Sequence, residues 1–256
     1  MYKFIAWSGG VESTAMCLLY GKGATAVFTD TGSEHKALYD WLAVASEKLK
    51  AVHNGDFNVL YLKPKVKVKG VEVENLTDYI KTTKFLPGKR ERFCTRIFKI
   101  EVMDDFLSSQ DECELLIGLN ADEEREGNFG LLSNVSYRTP LQEDGYTRQD
   151  CIDVLEEHDL KPKFPAYMKR GGCIFCPFKS KKEFRAMAHL APDELEQVAK
   201  LEEAVQDCRG KFFRIRQNMP IVRDLINQEK GTLFNASELY DDYDGESYSC
   251  GVFCHR

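Results

Sequence analysis

The chain of 256 residues lacks any long hydrophobic run, and none of its apolar segments approaches the ~20 residues that cross a membrane. Its first apolar stretch is short and ends at two glycines, so no secretory signal peptide is predicted. Internal repeats and low-complexity tracts are also missing from the sequence. We therefore expect a soluble protein of the cytoplasm that has no membrane partner.

An excess of positive charge is lacking as well, because 35 Lys and Arg stand against 41 Asp and Glu, which gives a net charge of −6. A general polyanion binder is therefore not expected. Two short stretches, residues 63–70 and residues 87–96, are nevertheless strongly basic. They are interpreted either as a solvated edge strand and a solvated loop, or as local surfaces that attract a polyanion.

Hydrophobic periodicity predicts strands that alternate with helices. The strands are expected at residues 3–7, 24–30, 57–63 and 113–120. The intervening helices are expected at residues 14–23, 33–49 with Ser33 as the N-cap, and 96–109. This alternation is typical of a doubly wound α/β fold with a mainly parallel sheet. From residue 147 the pattern is helical, so we predict an α/β nucleotide-binding domain over residues 1–140 and a helical, cysteine-bearing region over residues 141–256.

The first strand runs directly into residues 8–14, where glycines and hydroxyl side chains replace the apolar pattern. Glycines let a ligand approach the backbone, and a helix N-terminus carries partial positive charge, so this stretch predicts a phosphate site. It lacks the lysine of a Walker loop and the third glycine of a dinucleotide fingerprint. A turn with no ligand is the simpler alternative. The predicted phosphate-binding residues are Ser8, Gly9, Gly10, Glu12, Ser13 and Thr14.

This stretch resembles the Ser-Gly-Gly-x-Asp-Ser signature of the pyrophosphatase-loop, or adenine nucleotide alpha-hydrolase, superfamily, with Glu12 at the position of the family's Asp. In that family the loop grips the phosphates of ATP, which is split between its α- and β-phosphates. A substrate oxygen is adenylated and pyrophosphate leaves. The resemblance implies ATP with Mg²⁺ as the cofactor and a catalytic role for Glu12.

Three further stretches resemble the phosphoadenosine phosphosulfate reductase-like branch of this superfamily. Residues 28–42 carry its Asp-Thr-Gly segment, residues 93–103 its Cys-x-x-x-x-Lys-Ile segment, and residues 115–127 its Ile-Gly-x-x-Ala-Asp-Glu-x-x-Arg segment. Two of these follow predicted strands, at the edge where open α/β sheets bind ligands. The additional nucleotide-binding residues predicted there are Asp30, Thr31, Gly32, Gly118, Asn120 and Arg125.

Nine cysteines in a chain expected in a reducing compartment favour metal binding or redox chemistry over disulfides. Cys173 and Cys176 form a Cys-x-x-Cys pair, a spacing that allows two sulfurs to bind one ion. Structural zinc and a redox dithiol are the alternatives. With Cys94, the pair resembles the adenylyl-sulfate reductases, which bind a four-iron, four-sulfur cluster, although Phe93 replaces one of their paired cysteines. Cys254 is predicted as the fourth metal ligand.

The tail admits a second interpretation, because residues 247–256 faintly resemble the Cys-Gly-x-His tail of the reductases. In those enzymes the tail cysteine attacks a sulfonate sulfur, which would make Cys250 a catalytic nucleophile. Metal ligation by the tail is favoured, since three cysteines call for a fourth thiolate. Three other cysteines lie in apolar periodic stretches and are expected to be buried structural thiols, namely Cys17, Cys113 and Cys151. His35 is expected at the surface rather than at the nucleotide.

Three functions are compatible with these motifs. The favoured one is an ATP-dependent adenylating enzyme that inserts sulfur into, or otherwise modifies, a nucleotide or a nucleic acid such as tRNA or DNA, with an iron–sulfur cluster and a sulfur donor protein. The second is a sulfonucleotide reductase that uses Cys250. The third is a non-catalytic nucleotide-binding module, for which the replacement at Glu12 is the main argument. The nearly intact loop favours adenylation, since a reductase releases no pyrophosphate.

Overall fold

A five-stranded, all-parallel sheet forms the centre of the structure, a computed structural model that describes residues 1–124, 132–206 and 213–232. The strands in chain order are β1 (Tyr2–Ala6), β2 (Ala24–Thr29), β3 (Phe57–Leu62), β4 (Val66–Val68), β5 (Val71–Val73), β6 (Cys113–Leu116) and β7 (Val135–Arg138). The central sheet has the spatial order β3-β2-β1-β6-β7, and β4 and β5 form a separate antiparallel hairpin.

The direction of winding reverses at β1. Ile5 of β1 pairs with Ala26 of β2 on one side and with Leu116 of β6 on the other. The chain therefore builds the sheet first toward β3 and later toward β7. Such a reversal opens a crevice outside the carboxyl ends of the two central strands, which is where open α/β sheets bind ligands.

Helices cover both faces of the sheet. They are α1 (Val11–Tyr20), α2 (Lys36–Val52), α3 (Leu76–Thr83), α4 (Phe93–Thr95), α5 (Glu101–Ser108), α6 (Pro140–Glu143), α7 (Arg148–Glu157), α8 (Lys181–Leu190), α9 (Pro192–Gln206) and α10 (Val222–Glu229). A π-helical turn, Arg96–Ile100, joins α4 to α5. Among the described residues, no helix is both long enough and apolar enough to cross a membrane.

Alternate residues of β1 explain the two covered faces. Phe4 packs in a cluster with Met103 and Leu107 of α5, whereas Ile5 and Trp7 pack in a second cluster with α1 and α2. Because successive side chains of a strand point to opposite faces, an apolar strand such as β1 must be covered twice. The predicted α/β class with a parallel sheet is confirmed.

Several predicted elements need correction. The predicted fourth strand is β6, but it ends at Leu116 and leaves Gly118 and Asn120 in the loop that follows. The basic residues 63–70 include β4, an edge strand of the separate two-stranded hairpin, which agrees with their interpretation as a solvated edge strand. Ser33 does not cap α2, because His35 is the N-cap residue and the Ser33 hydroxyl lies 2.8 Å from Thr77 Oγ1. Strand β7 was not predicted.

The helices after residue 140 pack on the same core as the first strands. Helix α7 contacts α1, and the apolar cluster that holds Ile5 and Trp7 extends to Leu225 of α10. Helices α7 and α8 each begin with a capping box, at Thr147 and Ser180 respectively. The three cysteines expected to be buried structural thiols are buried, as predicted: Cys17 and Cys151 in the cluster of Ile5 and Trp7, and Cys113 in the cluster of Phe4.

Candidate functional site

The loop of residues 8–14, here called the glycine loop, leaves β1 at the carboxyl edge of the sheet and enters α1. Gly9 has a φ of 74°, a conformation that glycine adopts without strain. A Cβ at this position would lie 2.8 Å from Leu42 Cδ2 and 3.0 Å from Leu38 Cδ1. Glycine is therefore required here both by the backbone and by the packing of α2 beneath the loop.

The hydroxyl groups of the glycine loop bond to the loop itself. Ser8 Oγ and Ser13 Oγ are 3.0 Å apart, the amide of Ser8 donates to Ser13 Oγ at 3.2 Å, and Ser13 Oγ donates to the Gly10 carbonyl at 3.3 Å. These distances are at the long end of the range for hydroxyl hydrogen bonds. A phosphate oxygen offers the same hydroxyls a stronger, charge-assisted acceptor.

Thr14 has a different position from the two serines. Its side chain is completely buried, and its hydroxyl accepts a hydrogen bond from Trp7 Nε1 at 3.1 Å. Its amide donates to the Gly10 carbonyl at 3.0 Å, which starts the hydrogen bonding of α1. Thr14 therefore fixes the junction between the strand and the helix.

The loop after β6 touches the glycine loop, as the predicted nucleotide site requires. A Cβ on Gly118 would lie 3.2 Å from both the nitrogen and the Cα of Ser13. Only a residue without a side chain lets the two backbones approach so closely. The segments after β1 and β6 thus meet at the reversal of strand order.

A buried carboxylate lies between these segments. Glu12 is 5% exposed, and Asn120 Nδ2 donates to its Oε1 at 3.5 Å. The same oxygen forms an ion pair with Arg148 at the start of α7. The amide of Arg148 also donates to Asp122 Oδ2 at 2.8 Å, which fixes the first turn of that helix beside the site. Arg148 was not predicted as a site residue, since 136 residues separate it from Glu12 and no motif marks it.

The Asp-Thr-Gly segment follows β2 on the other side of the glycine loop. Asp30 Oδ1 accepts from the Gly32 amide at 2.8 Å and from the Tyr39 hydroxyl at 2.6 Å. Burial, together with the hydrogen bond to Asp30, raises the pKa of the Tyr39 phenol. Gly32 has a φ of 66°, and a Cβ there would lie 2.6 Å from Asn75 Cβ. The carboxylate therefore orders a turn that only glycine can complete.

Residues 31–34 connect this edge of the sheet to the Cys-x-x-Cys segment. Glu34 and Cys173 form an isolated antiparallel bridge, and the amide of Ile174 donates to the Ser33 carbonyl at 3.0 Å. The Thr31 hydroxyl lies 3.3 Å from Cys173 Sγ. Cys173 Sγ is also 3.6 Å from Glu34 Oε1. The predicted nucleotide segment and the predicted metal segment are thus in direct contact.

His35 is fully buried, so the expectation of a surface position was wrong. Its Nδ1 is 2.5 Å from Glu194 Oε2 of α9, and its amide donates to the Gly172 carbonyl at 3.2 Å. Burial lowers the pKa of the imidazole, while the hydrogen bond to Glu194 opposes that shift. His35 thereby ties the start of α2 to α9 and to the segment before Cys173.

The structure brings three of the four predicted metal ligands to one pocket. Cys94, Cys173 and Cys176 line this thiol pocket, together with Thr31 and Lys99. Within the described ranges, no group of three or more His, Cys, Asp or Glu side chains is close enough to hold a metal ion. The three cysteines therefore share a pocket without converging on one ion.

One short segment contributes two side chains to this pocket, Cys94 from α4 and Lys99 from the π-helical turn. Cys94 and Lys99 are five residues apart, which in an α-helix would point them about 140° away from each other. The π turn Arg96–Ile100, which contains Lys99 and follows Cys94, is wider than an α-helical turn and changes this angle. Burial and the nearby Glu34 carboxylate raise the pKa of the Cys173 thiol, and the charge of Lys99 opposes this.

Three predicted site residues lie outside the residues that the structure describes: Arg125, Cys250 and Cys254. Their roles in nucleotide binding, nucleophilic attack and metal ligation stay predictions. No protein-family model and no curated protein sequence matches the chain. The structure establishes an α/β protein with a parallel sheet.

Proposed function

We propose that the chain is an ATP-binding enzyme that adenylates an oxygen of its acceptor and releases pyrophosphate. One observation carries the proposal: the glycine loop and the Gly118–Asn120 segment meet at the reversal of strand order, with the buried carboxylate of Glu12 between them. A phosphate group at this position would face backbone amides, two serine hydroxyls and the N-terminus of α1. These are the groups that stabilise a polyphosphate.

The chemistry of the proposed step is a displacement at phosphorus. An acceptor oxygen attacks the α-phosphorus of ATP, the bond from that phosphorus to the oxygen bridging the α- and β-phosphates breaks, and pyrophosphate leaves with the bond's electron pair. Mg²⁺ would neutralise the phosphates, and a carboxylate is a ligand that this ion favours. We propose that Glu12 takes this role when Arg148, whose side chain is 35% exposed, turns to the phosphates.

The decisive experiment is calorimetry with ATP and Mg²⁺ on the Gly10→Val variant. A Cβ on Gly10 has only Ser8 Oγ near it, at 3.4 Å, so the variant is expected to fold. The remaining valine atoms would extend into the space proposed for phosphate, and we expect at least a 30-fold loss of affinity. Ala51→Val, at an exposed position of α2, is the control and should bind ATP normally. Undiminished binding by folded Gly10→Val would exclude the phosphate site.

We further propose that the thiol pocket would hold an iron–sulfur cluster, or alternatively Zn²⁺. A sulfur nucleophile carried by a donor protein would then attack the acceptor atom that bears the adenylated oxygen, and the bond to that oxygen would break as AMP leaves. The support is that Cys94, Cys173 and Cys176 line one pocket. Their present positions do not form a metal site, so no step of adenylation is assigned to the cluster. Anaerobic purification should give coloured protein with about four irons per chain. A sulfonucleotide reductase would instead show no pyrophosphate release with any acceptor.

A further inference from the structure

A basic cluster surrounds a single aromatic ring at the thiol pocket. Arg92 Cζ lies 4.7 Å from the centroid of the Phe178 ring, Lys89 Nζ lies 5.6 Å from it, and Arg170 Cζ lies 5.9 Å from it. Arg92 and Phe178 themselves line the pocket. The three cations come from two distant parts of the chain, the loop before α4 and the segment before Cys173, so folding brings them together.

The geometry constrains what this cluster can bind. Since all three cations lie within 5.9 Å of one centroid, any two are separated by less than about 12 Å. Each contact with the ring face is favourable, but like charges at this separation repel one another. A phosphate placed beside Lys89 and Arg170 would gain attraction from both. A guanidinium also binds phosphate oxygens through two parallel hydrogen bonds, which favours phosphate as the bound anion.

Hydrogen bonds hold parts of the basic cluster in position. Arg170 Nη2 donates to the Phe178 carbonyl at 2.9 Å, which joins the cation to the backbone of the residue whose ring it faces. The turn that carries Lys89 is closed by a hydrogen bond from the Gly88 amide to the Glu91 carbonyl at 3.3 Å. Lys89 itself is exposed to solvent, while Arg92 and Arg170 are half-buried. Lys89 therefore faces the solvent, while Arg92 lines the pocket itself.

We propose that this basic cluster binds the phosphate backbone of a single-stranded nucleic acid, and that one nucleotide of the strand enters the thiol pocket as the acceptor. The inference rests on the proposed function, because it names the acceptor of that reaction. Cations and aromatic rings are the elements with which proteins hold single strands without reading their sequence. The chain as a whole has a net negative charge, so any attraction for phosphate must come from a local group of cations such as this cluster.

The test is fluorescence anisotropy with labelled twelve-nucleotide strands, dT12 and U12, across a series of salt concentrations. We expect Lys89→Gln and Arg170→Gln each to weaken binding about fivefold at 100 mM salt. Each should also reduce the slope of log affinity against log salt by about 0.7, the value for one phosphate contact with a single strand. Arg170→Lys should restore the slope. Lys163→Gln, whose side chain is 81% exposed elsewhere, is the control and should leave both quantities unchanged.

Two further outcomes are informative. If the variants lose affinity for AMP but not for the strands, the cluster holds a free nucleotide and the proposal is wrong. Equal strand binding by the wild type and both variants would overturn it as well. ATP calorimetry on the same variants separates this proposal from the previous one, since the glycine loop is unchanged in them. If the variants bind ATP normally but bind the strands more weakly, both proposals are supported. If the protein binds strands but no ATP, only the proposal of strand binding by the basic cluster is retained.

Discussion

The glycine loop and the thiol pocket adjoin each other through residues 31–34, yet they are built in different ways. The two serines of the loop contact each other across five residues, whereas Glu12 has partners from distant segments. The pocket takes its lining from residues as far apart as Thr31 and Phe178. A site made from consecutive residues forms as soon as its strand and helix form. A site made from distant segments exists only when those segments dock.

This difference separates the effects that substitutions should have. A change in the loop acts directly on the backbone of β1 and α1, and its cost is local strain and steric conflict. A change around the pocket acts through the contacts that hold residues 172–178 against residues 31–35. The distinction predicts which variants lower global stability and which alter only the docking of one segment.

The largest effect is expected for Gly9→Ala. The variant combines a left-handed backbone with a Cβ placed 2.8 Å from Leu42, so we expect a loss of about 3 kcal/mol in the free energy of unfolding. Gly55→Ala is the matched control, because Gly55 has a φ of 84° but nothing within 4 Å of an added Cβ. It should cost about 1 kcal/mol, from the backbone alone. Urea unfolding measures both, and equal losses would show that packing beneath the loop contributes nothing.

The same contrast explains what the sequence could predict. Strands β1, β2 and β3 were predictable because each is an apolar run between turn residues. The glycine loop was predictable because its glycines and hydroxyl residues are consecutive in the sequence. Strand β7 is only four residues long, and so short a pattern gives little signal. The pairing of Arg148 with Glu12 joins residues 136 positions apart, and no local pattern encodes it.

Other predictions were wrong because a side chain binds a partner that is distant in the sequence instead of the local one expected. Ser33 has the chemistry of an N-cap, but its hydroxyl interacts with Thr77 and also accepts from the Thr77 amide, so a partner distant in sequence takes its place in the cap. The π-helical turn has no sequence signature that periodicity can detect. His35 was expected at the surface because an isolated histidine usually lies there, whereas Glu194 provides a partner that makes its burial possible.

A smaller, pH-dependent effect is expected at the junction held by His35. Burial sets its folded-state pKa below the unfolded value, so the unfolded chain takes up the proton first as the pH falls. Stability is therefore fully present above the unfolded pKa of about 6.5 and is lost below it, by at most about 1.4 kcal/mol per pH unit. The pKa of Glu194 is also lowered, but from 4.5, so its contribution is lost only in more acidic solution.

The measurement is urea unfolding at pH 7.5 and pH 5.5 for the wild type and for His35→Asn. Asparagine keeps a nitrogen donor near the position of Nδ1 and suits a helix N-cap, but it does not titrate. We expect the variant to lose less stability between the two pH values than the wild type does. An identical loss in both proteins would show that His35 is not the group responsible.

The smallest effect expected is a difference in stability between variants of the two capping boxes, at Thr147 and at Ser180. Thr147 begins α7, which carries Arg148 to the glycine loop, and its box is exposed. Ser180 begins α8, just after the Cys-x-x-Cys segment, and its partner Glu183 is buried and also accepts from the Lys169 amide at 3.2 Å. Removing either cap leaves helix amides without their acceptor, which costs about 1 kcal/mol.

We expect Ser180→Ala to exceed Thr147→Ala by a few tenths of a kcal/mol, because water replaces the lost acceptor less well where the box is partly buried. The two variants should also differ in kind. Ser180→Ala loosens the segment that carries Cys173 and Cys176, so alkylation of these thiols by iodoacetamide, followed by mass spectrometry, should become faster. Thr147→Ala should leave that rate unchanged. Equal alkylation rates in the two variants would mean that the start of α8 does not hold the thiol pocket together.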